Sequence, residues 1–275
     1  MKTVYFGTDL FCSCLAHLYA NQFEILTIYT CEPASNVQQV SILAQQNKTK
    51  ITTTKPTKQE LDDLVEQGAQ LFVVADYAHL LPSIDAKYAI NIHPSLLPAG
   101  KGATPLPYLI AQPEFAGVSI HKLSEQLDKG DVLIQQPVTV GADDSIRSLM
   151  VKVQLLAKDM LGNVLQDIEY YYQQAKPQSE NNSSYWPVPS LAQRTIHWYM
   201  SVSEINLISK QYGQFGVVFN LGNEQFISSQ LEVSLCQHSF PAGTILYQDD
   251  YLYVIALIDG FVCFDKKALS QLNIK

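Results

Sequence analysis

The stretch AINIHPSLLPAGKGATPLPYLI, residues 89–110, carries the side chains best suited to chemistry. Asn91 and His93 lie two residues apart in an apolar run. Side chains alternate along a strand, so both project to one face while Ile90 and Ile92 point to the other. An amide N–H suits an oxygen that gains charge during a reaction, and an imidazole suits proton transfer near neutral pH. Pro94 and Pro98 stiffen the exit, and Gly100 and Gly102 permit close backbone approach. In open α/β sheets, ligands bind beyond the carboxyl ends of the strands. The pattern therefore predicts a strand that delivers a polar pair to a crevice and a stiff turn that fixes their aim. A bare Asn-x-His also fits a capping asparagine beside a satisfied histidine, so the elements around it must decide.

The first half of the chain alternates strand and helix signals. Strands are predicted at Thr3–Phe6, Ile25–Tyr29, Leu71–Ala75, Ala89–His93 and Val118–Lys122. Helices are predicted near Phe11–Ala20, Val37–Gln46 and Lys58–Gln67. This alternation implies a Rossmann-like α/β fold with a doubly wound, mostly parallel sheet. LFVVA is apolar on both faces, as a central parallel strand should be. A long helix is expected from about Ser145 to Gln174, with Ile146, Leu149, Met150, Val153, Leu156, Ala157, Met160 and Leu161 at helical spacing and Asp144 or Ser145 as its cap. These elements form one expected unit, residues 1–175. The polar, Pro-rich run KPQSENNSSYWPVPS then reads as a linker over 176–188. Beyond it, GVVFN, EQFISS, TILYQ, YLYVIALI and FVCF suggest a small β-rich domain over 189–275, an OB-like barrel or a sandwich. Asp249-Asp250 and Asp259-Gly260 sit where hairpins would turn.

The 275 residues are 47% hydrophobic and 16% charged, an ordinary globular balance able to bury a sizeable core. The formal net charge is −8, which disfavours a general polyanion binder. No apolar run approaches the roughly 20 residues of a membrane span, so no membrane association is expected. The five cysteines are odd in number, and Cys12-Ser13-Cys14 is not a zinc or redox spacing. They read as core thiols of a protein in the reducing cytoplasm. The six histidines show no zinc spacing, so no metal is expected. The absence of G-x-G-x-x-G and of a P-loop argues against a nicotinamide or ATP site.

NIHPSLLPAGKG, followed from Glu125 by EQLDKGDVLIQ, resembles the folate-dependent formyltransferases. These enzymes move a formyl group from 10-formyltetrahydrofolate to an amine. VYFGT is similar to the family's first strand and turn, LFVVADYAHLLP to the segment before its catalytic strand, and LDKGDVL to its acidic loop. The resemblance implies that Asn91, His93 and Asp128 are catalytic. It also implies a pterin pocket near Tyr77, Leu81 and Pro82, partly through backbone contacts, with Asp131 a further candidate there. Lys101 stands where the family often has arginine; with Gly102 it is a candidate contact to an anionic substrate. The chemistry suits these residue types independently. An amine attacking a formyl carbonyl gives a tetrahedral oxyanion that Asn91 could stabilise. His93 could take the ammonium proton. Asp128 could favour the charged imidazole and fix its orientation, or hold a water that relays protons to the leaving nitrogen. A solvated Asp-x-Gly-Asp turn is the plain alternative for Asp128 and Asp131.

YWPVP, IHWYMSVSEINLISKQYG and FPAGTIL resemble the C-terminal barrel of several such enzymes, closest to the formyltransferase that modifies the amino sugar of lipid A precursors. The tRNA-formylating enzymes typically carry a basic insertion after the second strand, whereas here no Lys or Arg occurs from Thr30 through Asn47. Residues 185–275 hold five Lys and Arg against seven Asp and Glu, a net of −2, where a tRNA-gripping barrel should be basic. The expected acceptor is therefore a small amine, an amino sugar on a nucleotide, and tRNA is disfavoured. Alternatives are methionyl-tRNA formylation, formylation of a free amine or natural-product intermediate, and a non-catalytic binding protein on the same fold. The oligomeric state is left open, with a homodimer among the options.

Overall fold

The computed structural model describes residues 1–31 and 36–272. Residues 32–35, within the stretch expected to lack a basic insertion, and 273–275, at the end of the expected C-terminal domain, lie outside the described residues. The chain forms two compact units. The first comprises 1–105, 112–140 and 150–187; the second comprises 106–111, 141–149 and 188–275.

The first unit is built on β1 (Lys2–Gly7), α1 (Cys12–Ala20), β2 (Glu24–Tyr29), α2 (Gln38–Gln46), β3 (Lys50–Thr52), α3 (Lys58–Glu66), β4 (Leu71–Ala75) and β5 (Tyr88–His93). The chain then passes through α4 (Leu106–Leu109), a short helix of the second unit, to β6 (Gly117–Lys122) and β7 (Val132–Pro137). The sheet order is β3-β2-β1-β4-β5-β6-β7. Strands β1 to β5 pair in parallel, and β6 and β7 are antiparallel additions at one edge. The winding direction reverses between β1 and β4, the kind of switch point where such sheets bind ligands. All five residues of β4 are buried, as its two-sided apolar sequence requires. Val4, Phe6, Val74 and Ala89 face Leu61 and Leu64 of α3 in one core cluster. Thr57 opens α3 with a capping box, its hydroxyl accepting from Glu60 N–H while the Glu60 carboxylate accepts from Thr57 N–H.

The long helix expected over 145–174 is two helices, α5 (Ile146–Gln166) and α6 (Ile168–Gln173). Asp167 interrupts it because its carboxylate caps Tyr170 N–H, competing with the helical ladder. Val153, Ala157, Met160, Leu161 and Val164 are fully buried along one face of α5. The short strand β3 and the edge strand β7 were not legible, since neither has a strongly apolar run. Residues 176–187, expected as a linker, belong to the first unit. Lys176 bridges Val132, and Tyr185 bridges Lys101 through reciprocal backbone hydrogen bonds of the 184–186 segment.

The second unit contains α7 (Val202–Tyr212) and strands β8 (Val217–Leu221), β9 (Glu224–Ser228), β10 (Glu232–Leu235), β11 (Ile245–Gln248), β12 (Leu252–Ala256), β13 (Gly260–Asp265) and β14 (Leu269–Gln271). They form a four-stranded sheet, β10-β13-β12-β11, and a three-stranded sheet, β14-β9-β8. Phe219 of the smaller sheet stacks on Phe264 of the larger at 4.1 Å between ring centroids, closing a barrel-like core with Ile205, Ile255 and Val262. Among the described residues no helix is long and apolar enough to cross a membrane.

Candidate functional site

The antiparallel pairing of β5 with β6 assembles the site. Asn91 sits directly opposite His121, and His93 opposite Ser119. Alternation puts all four side chains on one face, the face that also carries Ala89 and the core cluster of Phe6 and Val74. Ser119 anchors the turn after β5: its hydroxyl donates to Ser95 O at 2.6 Å and accepts from Leu97 N–H at 3.1 Å. Gln135 of β7 donates to the same hydroxyl and to Leu97 O. The turn then brings Gly100 beneath His93, and the imidazole Nε2–H donates to Gly100 O at 2.7 Å. Gly100 has φ +73°, and a Cβ there would lie 2.5 Å from the Trp186 ring, so only glycine serves.

The acidic loop approaches from the other side. Asp128 adopts a left-handed conformation, φ +52°. It is held through every acceptor it offers. Gln178 Nε2 donates to its backbone carbonyl at 2.7 Å, Gly102 N–H donates to Oδ2 at 2.8 Å, and Asn91 Nδ2 donates to Oδ1 at 3.2 Å. Oδ1 also lies 3.6 Å from His93 Nδ1 and 3.8 Å from His121 Nε2. Because a carbonyl holds the proton on His93 Nε2, the lone pair of Nδ1 faces the carboxylate side and is the position able to accept a proton. An imidazolium formed there would stand beside Asp128 in a site where His93 and Asp128 are only 4% and 6% exposed, and low local dielectric strengthens that attraction.

His121 was not singled out from the sequence. Its Nδ1–H donates to Lys122 O at 2.8 Å, and its Nε2 lies 3.0 Å from Asn91 Nδ2. Burial pushes its pKa down to about 4, against the opposing pull of Asp128, so the ring is neutral at pH 7. The available signal was its place within the predicted strand Val118–Lys122; its relevance depends on that strand pairing with β5.

The remaining expected residues divide. Gly102 supports Asp128 through its N–H. Lys101 is buried, and its ammonium donates to Ser183 Oγ at 3.1 Å. Asp131 is not drawn into the cluster. Its carboxylate accepts from Lys122 Nζ at 3.3 Å, and Lys122, next to His121 on the strand, points to the opposite sheet face. Tyr77 packs edge-on against Phe6, and with Leu81 it joins the core cluster on the Asn91 face. Pro82 is partly buried beside Leu81. The Tyr77 hydroxyl is buried with no hydrogen-bond partner among the described residues, and burial raises its pKa. An orphaned buried hydroxyl beside an apolar wall is a feature that a heteroaromatic ligand with polar edges would satisfy. Among the described residues no group of His, Cys, Asp or Glu could hold a metal ion.

A doubly wound sheet with a polar triad at the end of a central strand, joined to a small barrel, defines the class. The formyl transferase family matches residues 25–165, just over half of the chain, and the chain belongs to that family. It is 32% identical over 186 residues to the methionyl-tRNA formyltransferase of Ehrlichia canis, covering 62% of this chain and 61% of that protein. The chain thus spans about three-fifths of that relative. Among solved structures, a sugar 3N-formyltransferase, WlaRD, crystallised with dTDP and 5-N-formyl-THF, covers 100% of this chain and 99% of its own at 18% identity, TM-score 0.66. An N-formyltransferase from Helicobacter canadensis, in complex with folinic acid and dTDP-3-aminofucose, covers 96% and 98% at 15% identity, TM-score 0.68. These two likenesses establish a shared fold.

Proposed function

We propose that this protein is an N-formyltransferase that moves the formyl group of 10-formyltetrahydrofolate to the primary amine of a nucleotide-linked amino sugar. The observation that carries the reading is the convergence of Asn91, His93 and Asp128 at the mouth of β5, with His93 Nδ1 left open to take a proton beside a carboxylate. His93 receives the proton that the amine sheds on forming its new C–N bond, and a proton returned to N10 lets the formyl C–N10 bond of the folate break. Asp128 holds the resulting imidazolium by charge. The Asn91 N–H that donates to Asp128 Oδ1 would pass to the oxygen that gains charge once Oδ1 turns to the charged imidazole. Tyr77, Leu81 and Pro82 would hold the pterin; bound there, the folate supplies the one-carbon group at the formyl oxidation level. Lys101 and the backbone around Gly102 would face an anionic acceptor.

Support for a small acceptor comes from charge and from likeness. The net charge is −8, and no Lys or Arg occurs from Thr30 through Asn47. Each tRNA phosphate contact would require a cation, and binding would weaken steeply with salt. Two solved structures that align with this chain over nearly the whole of both chains carry dTDP or dTDP-3-aminofucose in their crystals. The test offers purified protein 10-formyltetrahydrofolate with a panel of UDP- and dTDP-amino sugars, and separately with Met-tRNA. Formylation of one nucleotide sugar at salt-independent rates supports the reading. Efficient formylation of Met-tRNA would overturn the acceptor assignment, and silence from both sets would move it to a free amine or a natural-product intermediate.

A further inference from the structure

A chain of hydrogen bonds, read from its one unambiguous end, fixes which way the Asn91 amide points. A backbone carbonyl can only accept, so Lys122 O places the proton of neutral His121 on Nδ1. Nε2 of the same ring therefore carries a lone pair. The atom of Asn91 3.0 Å from it must be a donor, so it is Nδ2 and not Oδ1. The second hydrogen of Nδ2 is then directed at Asp128 Oδ1, 3.2 Å away and on the side of His93. Turning the amide over would set its oxygen against both a lone pair and a carboxylate and would leave the centre of the site without this N–H.

We propose that His121 is a positioning residue for formyl transfer: by accepting one hydrogen of the Asn91 amide, it keeps the other aimed at the reacting group. The proposal rests on the formyltransferase reading for its effect on rate, but not for the tautomer it requires. Asp128 alone holds the amide only while its Oδ1 remains in place, and Oδ1 is the atom that must turn to His93 when the imidazole is charged. His121 keeps the orientation through that change. The ring is suited to this task by burial, at 1% exposure, and by a tautomer fixed from outside the site.

Two measurements test this. Nitrogen-15 spectra of the histidine rings in the unliganded full chain should show His121 protonated at Nδ1 and bare at Nε2 near pH 7; an Nε2–H tautomer overturns the proposal whatever the protein's activity. In turnover with the best nucleotide amino sugar, His121→Leu should lower kcat by about 10- to 100-fold, less than losing the donor itself, with KM for the folate little changed. His121→Gln, which can accept from Asn91 while donating to Lys122 O, should recover most of the rate. In an Asn91→Ala background, His121→Leu should have little further effect, because it acts through Asn91. Additive losses, or equal damage from Gln and Leu in variants of unchanged melting temperature, would sink the proposal. A wild type that formylates none of the amines would defeat the functional reading, and the ring spectrum would then judge the His121 assignment alone.

Discussion

The mouth of β5 and the core of the small barrel bury side chains of opposite kinds. Around Asn91, His93, Ser95, Lys101, Ser119, His121 and Asp128 are all buried, and each makes a side-chain hydrogen bond. In the barrel, Ile196, Val202, Ile205, Val217, Phe219, Ile255, Leu257, Val262 and Phe264 pack as one apolar cluster, with Ser228 a buried polar residue of β9. Desolvated polar groups cost free energy unless paired, so the first arrangement adds little to stability and, on the proposed reading, serves a bound molecule. The second is justified by stability. The contrast predicts that substitutions in the two regions fail in different measurements.

The largest effect is expected in the barrel. Phe219→Ala removes a ring stacked on Phe264 and should cost about 3–5 kcal/mol of stability. A denaturant titration checks it; a loss below about 1 kcal/mol would mean that the aromatic stack is dispensable. At the other site, His93→Ala or Asn91→Ala should lower kcat on the order of 100- to 1000-fold while the melting temperature holds. Asp128→Asn should be nearly as damaging although it is isosteric. An amide offers one oxygen where Gly102 N–H and Asn91 Nδ2 now use two, and it carries no charge for His93. Near-normal turnover in any of the three would erase the distinction drawn here.

Acid should expose the same difference. His121 has its pKa lowered to about 4 by burial, so the fold favours the neutral ring. Its contribution is complete above the free histidine value of about 6.5 and is lost as pH falls from there toward about 4, on the order of 3 kcal/mol in all. Asp76, whose carboxyl is raised by burial, works in the opposite direction, gaining stability as pH falls. Unfolding measured between pH 7.5 and 4.5 should therefore show a slope that His121→Leu reduces; an unchanged slope would show that His121 is not the group responsible. The smallest effect is expected at the start of α7, where Ser201 and Glu204 form a capping box. Ser201→Ala should cost about 1 kcal/mol and leave the chemistry of the first unit untouched. A change in kcat there would show that the barrel reaches the reaction.

Local sequence carried much of the outcome. Two-residue alternation put Asn91 and His93 on one face because side-chain direction along a strand depends on nothing distant. The strongly apolar runs of β1, β2, β4 and β5 and the spacing in α1 to α3 were legible for the same reason, and the ends shifted by a residue or two. The break at Asp167 was less visible, since a capping carboxylate inside a good helical pattern announces itself only by residue type. What depended on tertiary structure was partnership. Whether Asn91 meets His121 is decided by the antiparallel register of β5 on β6, 30 residues apart in the chain. A one-residue slip would have turned Lys122 or Ile120 to that face instead. The fates of Asp128 and Asp131 were decided in the same way. The two are three residues apart in one acidic turn, yet a left-handed backbone and the Gly102 N–H draw the first into the cluster, while Lys122 holds the second on the other side of the sheet. Periodicity is a property of neighbouring residues and survives in the sequence; register and loop closure are set by the balance of many distant contacts, and only the folded chain holds them.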